Sequence, residues 1–374
     1  MFFIFPAEVR VKRWMARSLA LLTLLACGHS DGFETLQPQS LGPNGAGPDV
    51  QLTFNADQDY WPAWTQDGRG ILYSFVSPGS TASHRCLGIL PAAGGSRIWE
   101  MCDNRAVRRD TVSSYTAFAL DSTGRLLVVE ALSRTGFLSS FPFHIRLFLT
   151  DTAAPYVRTI LDTIPVLGDD IGSTSALSWL SDVAWTGPNS FIALGQQFNT
   201  ATVPGQCTNP LPCIDSTFAQ NGVVVRGTIA NGQATLTAIA GTEFARGYSL
   251  AEGGATVVFY GPSGNTVLRV PIGGGRVDSV RTLPIASLLG LTCRGETCLV
   301  ASNPFEQPSQ LLSVSLSTRS VQVVRTAAVP FFATPIVSPV THDVVLQIGG
   351  VVGHVATNHN DPSSNLFLYK GIFP

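Results

Sequence analysis

The sequence predicts an all-β fold, a six-bladed β-propeller of four-stranded antiparallel blades in which the N-terminal strand completes the last blade. Between residues 50 and 374 the apolar segments are short and alternating, and no stretch of twelve residues favours a helix. The chain contains 36 Gly and 24 Pro, which is typical of a protein with many turns. A strand–turn–strand unit also recurs six times, and repeats of this kind indicate a propeller.

The clearest unit spans residues 59–73 and consists of a strand, the turn Asp67-Gly68 and a second strand. Asp suits this turn because its side chain caps local amides, and Gly suits it because it accepts a positive φ. Weaker copies follow at 113–132, 182–195, 247–260, 288–302 and 332–348. Counted with the first, they predict six inner hairpins.

This unit resembles the TolB-like, WD40-like (PD40) propeller repeat, whose pattern runs D-x-x-P-x-W-S-P-D-G-x-x-I-x-F. Thr65-Gln66 stands where the family has Ser-Pro, and the other pattern positions of 59–73 match closely. The copy at 113–132 has Asp121 and Gly124 in its turn, whereas the four copies after it lack the Asp-Gly pair and resemble the family only in the strand pattern. The resemblance implies a six-bladed propeller and, for function, contact with a protein partner in the cell envelope.

The outer half of each blade is predicted from a second set of hairpins. Residues 90–97 parallel residues 270–276, and further hairpins fall at 144–161, 222–240 and 310–325. The last blade stops after 365–369, one strand short. The segment 50–54 can supply that strand and close the ring, which protects edges that would otherwise pair with other chains.

Residues 1–26 are predicted to be a signal peptide. Four basic residues precede the apolar run 19–26, which is too short to span a bilayer; they are Arg10, Lys12, Arg13 and Arg17. The run ends in Leu-Leu-Ala-Cys27-Gly28, which resembles the lipobox of bacterial lipoproteins. That resemblance implies acylation of Cys27 and, because Gly28 follows it, the outer membrane. An ordinary secretory signal remains the alternative, and translation could begin at Met1 or at Met15.

The remaining chain divides into a tether and one domain. Residues 27–49, the lipidated cysteine and a Gly-, Pro- and polar-rich stretch, are predicted to be flexible. Residues 50–374 form the propeller. Apart from Cys27, six cysteines remain, an even number that suits an oxidising compartment. They fall into three local pairs predicted to form disulfides, with zinc binding as the alternative: Cys86 with Cys102, Cys207 with Cys213, and Cys293 with Cys298.

Charge argues against a nucleic-acid partner. The formal net charge is −2 and only 13% of residues are charged. Lysine occurs only at Lys12 and Lys370, and no basic stripe runs along the domain. No glycine-rich phosphate loop precedes a helix, so no nucleotide or other cofactor is predicted.

One face of the propeller is predicted to carry all the long connections. In each blade, the turn between the first and second strands and the turn between the third and fourth strands are short and share one face of the ring. The link between the second and third strands and the link to the next blade share the opposite face. The long segments there are 133–143, 164–178, 198–221 and 349–363. Long loops on a rigid scaffold are common binding sites, although they could also pack over the ring as tolerated insertions.

Candidate binding residues lie in these loops. Phe137, Phe141 and Phe143 could form an apolar anchor for a partner or fold back onto the loop. Asp169, Asp170 and His359 could contact a partner. A metal held by the two aspartates, or by His359 with His354 and Asp361, is a weaker reading because no helix places the histidines on one face.

The inner-strand positions offer little for catalysis. Ser249 lies in a motif that approximates a nucleophile elbow, but its last position is Ala and its repeat position is an inner strand. Four tryptophans at or near inner-strand positions are predicted to pack in the core: Trp61, Trp64, Trp179 and Trp185. Neither set predicts a reaction.

We therefore predict a non-enzymatic envelope lipoprotein that binds or scaffolds a protein or peptide partner through the face that carries the long loops. A glycan-binding propeller and a metal-dependent propeller lactonase or lyase are the alternatives. The fold alone does not decide among these functions. The oligomeric state is not predicted.

Overall fold

The computed structural model describes most of the domain. It covers residues 50–53, 59–76, 85–102, 111–134, 142–153, 157–165, 179–198, 220–261, 264–302, 309–327, 334–349 and 364–374. All of them belong to one compact unit, Pro38–Pro374. The predicted signal peptide, Cys27 and the tether lie outside the described residues.

The first three blades each contain four strands in consecutive antiparallel order. Blade 1 comprises β2 (Asp59–Trp64), β3 (Gly70–Val76), β4 (Arg85–Pro91) and β5 (Trp99–Cys102). Blade 2 comprises β6 (Thr111–Leu120), β7 (Arg125–Arg134), β8 (Pro142–Asp151) and β9 (Thr159–Pro165). Blade 3 comprises β10 (Trp179–Gly187), β11 (Ser190–Phe198), β12 (Gln220–Ala230) and β13 (Gln233–Ala238).

The last three blades follow the same plan. Blade 4 comprises β14 (Gly247–Ala251), β15 (Thr256–Tyr260), β16 (Thr266–Pro271) and β17 (Asp278–Thr282), with a short 3₁₀ helix at Glu252–Gly254. Blade 5 comprises β18 (Leu288–Arg294), β19 (Thr297–Ser302), β20 (Ser309–Ser315) and β21 (Val321–Ala327). Blade 6 comprises β22 (Ile336–Val337), β23 (Val344–Gly349), β24 (Ser364–Tyr369) and β1 (Val50–Gln51). The predicted six-bladed fold is confirmed.

Ring closure by the N-terminal strand is also confirmed. β1 pairs antiparallel with β24, so that Val50 faces Leu368. The backbone N–H of Leu52 donates to the carbonyl oxygen of Leu366 at 2.8 Å, and the Leu52 side chain is buried. The first strand therefore supplies the outer edge of the last blade and joins the two ends of the chain.

The second strand of a blade is buried on both faces, because a neighbouring blade covers each side. In β3, Ile71 and Phe75 pack against blade 6, whereas Leu72 between them packs against blade 2. Side chains alternate across a strand, and here each side meets a neighbouring blade. Six apolar clusters, one at each junction between blades, make up the core of the ring.

Tryptophan side chains tie neighbouring blades together through hydrogen bonds. The indole N–H of Trp64 in blade 1 donates to the carbonyl oxygen of Ile336 in blade 6, at 3.0 Å. The indole of Trp185 in blade 3 donates to Ala119 in blade 2, also at 3.0 Å. An indole N–H needs such a partner when the ring is largely buried, and these bonds fix the inner strands relative to each other.

The short turns are built as the repeat predicts. In the first turn the hydroxyl of Thr65 donates to Asp67 at 2.6 Å, and the backbone N–H of Arg69 donates to the same carboxylate at 3.0 Å. These bonds lower the pKa of Asp67. Gly68 follows at φ 67°, in the left-handed region that favours glycine. Asp121 and Gly124 repeat this arrangement in blade 2.

Two of the three predicted disulfides lie within the described residues, and both are confirmed. Cys86 and Cys102 face each other across β4 and β5 and are bonded. Cys293 and Cys298 face each other across β18 and β19 and are bonded. Such bonds are typical of proteins outside the cytoplasm. Cys207 and Cys213 lie outside the described residues.

Candidate functional site

The strand order places the long connections at one end of the ring, as the sequence predicts. Adjacent strands are antiparallel, so the link from the second to the third strand of a blade and the link to the next blade emerge together. We call this end the long-loop face. The longest links there are 166–178, 199–219 and 350–363, whereas no link at the opposite face is longer than 92–98 or 152–158.

Most binding residues predicted from sequence lie outside the described residues. This holds for Phe137, Phe141, Asp169, Asp170 and His359. Phe143 is the second residue of β8, at the end where that strand leaves the long-loop face. The roles of these residues therefore stay predictions.

The inner strands of a propeller line its central channel, and four of the six inner strands carry a β-bulge. In β10 and β18 the bulge lies near the start of the strand, on the long-loop side of the ring, whereas in β2 and β6 it lies close to the middle. A bulge adds one residue, bends the strand and re-aims a side chain, and bulges are common beside active sites. The interrupted segments are Tyr60–Ala63, Tyr115–Ala117, Ser181–Ala184 and Leu288–Gly290.

Trp61 and Asp182 occupy equivalent bulge positions in blades 1 and 3. Each lies three residues before a tryptophan, Trp64 or Trp185, that donates to the inner strand of the preceding blade. Both have φ 50°, and both side chains are exposed. A bulky residue such as tryptophan rarely adopts this left-handed conformation, whereas aspartate does so more readily. The two bulges thus present an aromatic ring and a carboxyl group two to three residues inside the strands, roughly 7–10 Å below their ends.

Asp182 is enclosed by three blades although its side chain reaches the water of the channel. The hydroxyl of Tyr248 in blade 4 donates to the backbone carbonyl oxygen of Asp182. The carboxylate charge of Asp182 also acts on Tyr260 of blade 4. The Tyr260 hydroxyl in turn donates to the carbonyl oxygen of Leu289 in blade 5 at 3.0 Å. Burial raises the pKa of the Asp182 carboxyl, and a hydrogen bond from Ser181 partly opposes this. Burial has this effect because the surrounding protein displaces water that would otherwise hydrate the charged carboxylate.

The two tyrosines beside Asp182 stay neutral. Burial raises the pKa of Tyr248 and of Tyr260, and the nearby Asp182 raises both further. The positive charge of Arg246 acts in the opposite direction on the pKa of Tyr260. Both hydroxyls already donate to backbone carbonyls of neighbouring inner strands. They therefore hold the channel wall in place and are poor candidates for proton transfer.

In contrast to Asp182, a buried carboxylate in blade 2 has positively charged neighbours. Glu130 lies between Arg146 and Arg158, each 3.8 Å away, and Arg158 also donates to the hydroxyl of Tyr115 at 2.6 Å. Glu130 thus has cationic partners inside its own blade. Asp182 forms no ion pair with any residue in the described part of the chain.

Phe244 is a second exposed aromatic residue on the long-loop face. It lies in the link between β13 and β14, in a four-residue turn closed by a 3.1 Å bond from Ala245 N–H to the carbonyl oxygen of Thr242. Phe244 occupies the third position with φ 70°, where a turn of this kind usually has Gly or Asn. Its side chain is 50% exposed. The turn therefore holds an aromatic ring in solvent on strained backbone.

The turn that carries Phe244 is firmly held. The hydroxyl of buried Thr242 donates to the carbonyl oxygen of Ile239 at 2.7 Å and accepts from Val224 N–H at 3.0 Å. At the start of β12, a Cβ on Gly222 would lie 1.7 Å from the carbonyl oxygen of Ala245. Gly222 thus allows β12 to approach the turn closely, and the position of Phe244 is set by the rigid part of blades 3 and 4.

The sequence analysis does not predict a binding role for Trp61, Asp182 or Phe244. The prediction that Trp61 packs in the core with Trp64 and Trp185 is wrong, because the bulge turns its side chain outward and leaves it 36% exposed. The spacing Trp61–Trp64 and Asp182–Trp185 is visible in the repeat and could have revealed the equivalence. Nothing in the sequence around Phe244 signals its left-handed conformation.

The candidates for catalysis and metal binding gain no support. Ser249 lies in β14, as its repeat position predicts, and its hydroxyl accepts from the backbone N–H of Cys293 at 2.9 Å. Across the described ranges, no group of three or more His, Cys, Asp or Glu side chains is placed to hold a metal. In the same ranges no helix is long and apolar enough to cross a membrane.

Comparison with known proteins gives likeness of architecture only. No protein-family profile and no curated protein sequence matches the chain. A luciferin-regenerating enzyme is similar in structure at 11% identity, over 83% of this chain and 90% of that one, with a TM-score of 0.47. Regucalcin, a calcium-binding protein of Agrobacterium tumefaciens, is similar at 14% identity, over 84% and 93%, with a TM-score of 0.48.

TolB from Acinetobacter baumannii is similar at 12% identity, over 83% of this chain and 63% of that one, with a TM-score of 0.46. Likenesses this distant do not bear on activity, and these three proteins differ from one another in the functions their names state. The strand order itself establishes what the chain is at the level of fold, a six-bladed β-propeller.

Proposed function

We propose that this chain is a lipid-anchored protein of the bacterial envelope whose propeller binds a protein or peptide partner through the long-loop face, without enzymatic activity. The observation that carries the proposal is the pair Trp61 and Phe244. Both are large aromatic residues held on left-handed backbone and exposed on the same face of the ring. Such backbone costs about 1–3 kcal/mol per residue, and residues that adopt it tend to cluster at functional sites.

Aromatic side chains suit the proposed role. Tryptophan and other aromatic residues are enriched in the buried centres of protein interfaces, where a few anchors carry most of the binding free energy. The rigid turn at Thr242–Ala245 and the bulged strand β2 fix their anchors before a partner arrives. A fixed anchor loses little conformational entropy on binding. The long connections around them would supply the rest of the contact area.

The envelope location rests on two further observations. The disulfides Cys86–Cys102 and Cys293–Cys298 favour an oxidising compartment. The segment that ends in Cys27 resembles a lipobox, and two or three acyl chains would anchor the protein stably. We place the protein at the outer membrane because Gly28 follows the cysteine. Its TolB-like resemblance is consistent with partner binding in that compartment.

The partner can be sought by crosslinking in native envelopes. The bait is the full-length lipidated protein, compared with a variant in which 199–219 is replaced by a Gly-Ser turn. Phe198 and Gln220 are cross-strand partners in β11 and β12, so a short turn can join them without disturbing blade 3. The replacement removes Cys207 and Cys213 together and leaves no odd thiol. A matched control carries Val340→Ser, at an exposed position on the opposite face.

The proposal predicts one dominant protein that both the native bait and the control capture and the shortened bait loses. Equal capture by the shortened bait would show that the contact lies outside residues 199–219. Capture of no protein by any bait would favour a glycan or a small ligand. Lipid anchoring is tested separately by labelling cells with a radioactive fatty acid, where Cys27→Ala should abolish labelling and release the protein from membranes.

A further inference from the structure

The outer strands of five blades each carry a feature that discourages pairing with another chain. β9, β17 and β21 contain a β-bulge, seen as a register shift against the neighbouring strand, and each includes a charged residue. β5 has only four residues, one of them Glu100, and β1 has only two. Bulges, charges and short length are devices by which proteins protect the free edge of a sheet.

β13, the outer strand of blade 3, has none of these features. Its six residues, Gln-Ala-Thr-Leu-Thr-Ala, include no charged residue and no proline, and its register against β12 is unbroken. In the described part of the chain no other strand pairs with its free edge. An edge of this kind is a template for pairing with a further strand.

The hairpin turn before β13 determines which of its backbone groups face outward. Both residues of the two-residue turn, 231–232, have positive φ. In such a hairpin the flanking residues, Ala230 and Gln233, exchange hydrogen bonds, and hydrogen-bonded pairs alternate along the ladder. The 2.8 Å bond from Ile239 N–H to the carbonyl oxygen of Val224 fits this order. The residues of β13 whose N–H and C=O point away from β12 are therefore Ala234, Leu236 and Ala238.

The side chains of β13 keep the strand in place and leave its edge uncharged. Leu236 is half-buried and packs against the apolar cluster at the junction of blades 2 and 3. Thr235 and Thr237 point to the other side of the sheet and are exposed. The strand is thus fixed within its own blade before any other strand arrives.

The free edge of β13 is complementary to itself. A two-fold axis at Leu236 places this residue opposite its equivalent in a second copy, and Ala234 opposite Ala238. Each of these pairs would exchange two N–H···O bonds. Thr235 would face Thr237 of the second copy, a cross-strand pairing that is favourable. No like charges would meet along the contact, because β13 has no charged residue.

We infer that β13 is the contact through which two copies of this chain associate, by antiparallel pairing of their β13 strands into one eight-stranded sheet. The contact lies on the rim of the ring. Blade 3 is three blades away from blade 6, where β1 follows the predicted tether. The inference does not rest on the function proposed above, because it does not use the long-loop face.

The size of the contact sets its expected strength. Each copy contributes the six residues of β13, whereas stable interfaces use about 20–30 residues on each side. We therefore expect a weak and reversible dimer, which is best detected where the protein is concentrated in its own envelope.

Disulfide crosslinking in native envelopes tests the pairing and its register. Two full-length variants with different tags, Thr235→Cys and Thr237→Cys, are produced in the same cell. The inferred pairing puts these positions opposite each other, with Cβ atoms about 4.5–5.5 Å apart, whereas each lies about 7–8 Å from its own equivalent. A disulfide-linked heterodimer should therefore exceed either homodimer several-fold. The control pair Gln322→Cys and Thr326→Cys, at exposed positions of bulged β21, should form no crosslink.

Charge substitution tests the same edge without a crosslink. Thr235→Lys/Thr237→Lys places like charges opposite each other in the inferred dimer, and Thr235→Glu/Thr237→Glu does the same with negative charges. In analytical ultracentrifugation of the full-length protein in mild detergent, wild-type protein should form reversible dimers, and either variant should dimerise about tenfold more weakly. A mixture of the two variants should restore association, which would show that both still fold.

Three results would overturn the inference: wild-type protein that stays monomeric, dimers that the lysine variant leaves unchanged, or crosslinks of equal yield from all pairings. Loss of a captured protein from the lysine variant, with wild-type protein monomeric, would show that the edge pairs with a strand of another protein and not with a second copy. A partner bound through the long-loop face should still be captured by the lysine variant, so that failure of the dimer and failure of the proposed function are distinguished.

Discussion

Three residues on the long-loop face, Trp61, Asp182 and Phe244, are held in left-handed backbone without being glycine. For a residue with a Cβ, this conformation costs about 1–2 kcal/mol. The surrounding hydrogen bonds of the bulged strands and of Thr242 supply the compensation. The cost is not confined to this face, because Asn231, Glu252 and Arg319 in the short turns of the opposite face are left-handed as well.

Phe244 allows this cost to be measured. Phe244→Ala and Phe244→Gly both remove the ring, so the difference between them reports the backbone alone. We expect the Gly variant to be more stable than the Ala variant by about 1 kcal/mol in denaturant unfolding, although Gly is usually the less stable of the two. The same pair of changes at Val323, an exposed strand residue, should show the usual order. An Ala variant as stable as Gly at position 244 would show that the turn is unstrained.

Asp182 should make stability depend on pH in an unusual direction. Its pKa is raised in the folded protein from 3.8, so the native state binds its proton more tightly than the unfolded state. The resulting loss of native stability is absent below pH 3.8, grows as the pH rises through the raised pKa and persists above it. Asp182→Asn should therefore raise Tm at neutral pH, and the gain should vanish in acid.

Asp278 provides a control in which the pKa shift, and therefore the expected pH dependence of stability, has the opposite sign. Its hydrogen bond from Arg269, together with the charge of Arg319, lowers its pKa below 3.8, so its charge favours the native state above that pH. This contribution is lost as the pH falls through the lowered pKa. Asp278→Asn should lower Tm slightly at neutral pH and not in acid. If both variants shift Tm in the same direction, the assignment of Asp182 to an enclosed site is wrong.

At the scale of strands and turns, the sequence predicts most of the architecture. The Asp67-Gly68 turn and its weaker copies mark the inner hairpins because capping and positive φ require those residue types. The inner-strand bulges escape prediction for a physical reason. Both faces of a blade are buried, as Ile71 and Leu72 show, so an apolar run does not reveal which side chain turns into the channel. For this reason the prediction that Trp61 packs in the core is wrong.

The disulfide of blade 1 should stabilise more than that of blade 5. Cys86 and Cys102 are 16 residues apart, and Cys293 and Cys298 are 5 apart. In the loop-entropy account, losing them costs about 3 and about 2 kcal/mol, respectively. Cys86→Ala/Cys102→Ala and Cys293→Ala/Cys298→Ala are compared by denaturant unfolding. Wild-type protein unfolded in strong reductant should resemble the corresponding variants, and an unchanged midpoint for either variant would contradict a stabilising bond.

At the scale of the whole molecule, one short strand closes the ring. Leu52 packs with Leu366 and Leu368, and Trp64 of blade 1 bonds to Ile336 of blade 6. The first and last blades therefore depend on each other even though they lie at opposite ends of the sequence. A ring closed in this way leaves few strand edges exposed to other chains.

Removal of the closing strand should expose the edge of β24. A chain that starts at residue 54 is expected to have a lower Tm and to self-associate in size-exclusion chromatography, because β24 loses its outer partner. A chain that starts at residue 50 keeps β1 and should remain as stable as a chain that also includes the tether, residues 28–49. Equal behaviour of the two chains would show that β1 does not stabilise the closed ring.

The central claim is that the long-loop face is where a protein partner binds, and site-specific photo-crosslinking in living cells tests it most directly. A photoreactive phenylalanine analogue replaces Phe244 on the long-loop face or, in a parallel strain, Val340 on the opposite face; both positions are exposed. We predict one discrete crosslinked protein from position 244 and none from position 340. The same product from both positions, or a product from position 340 alone, would contradict the account.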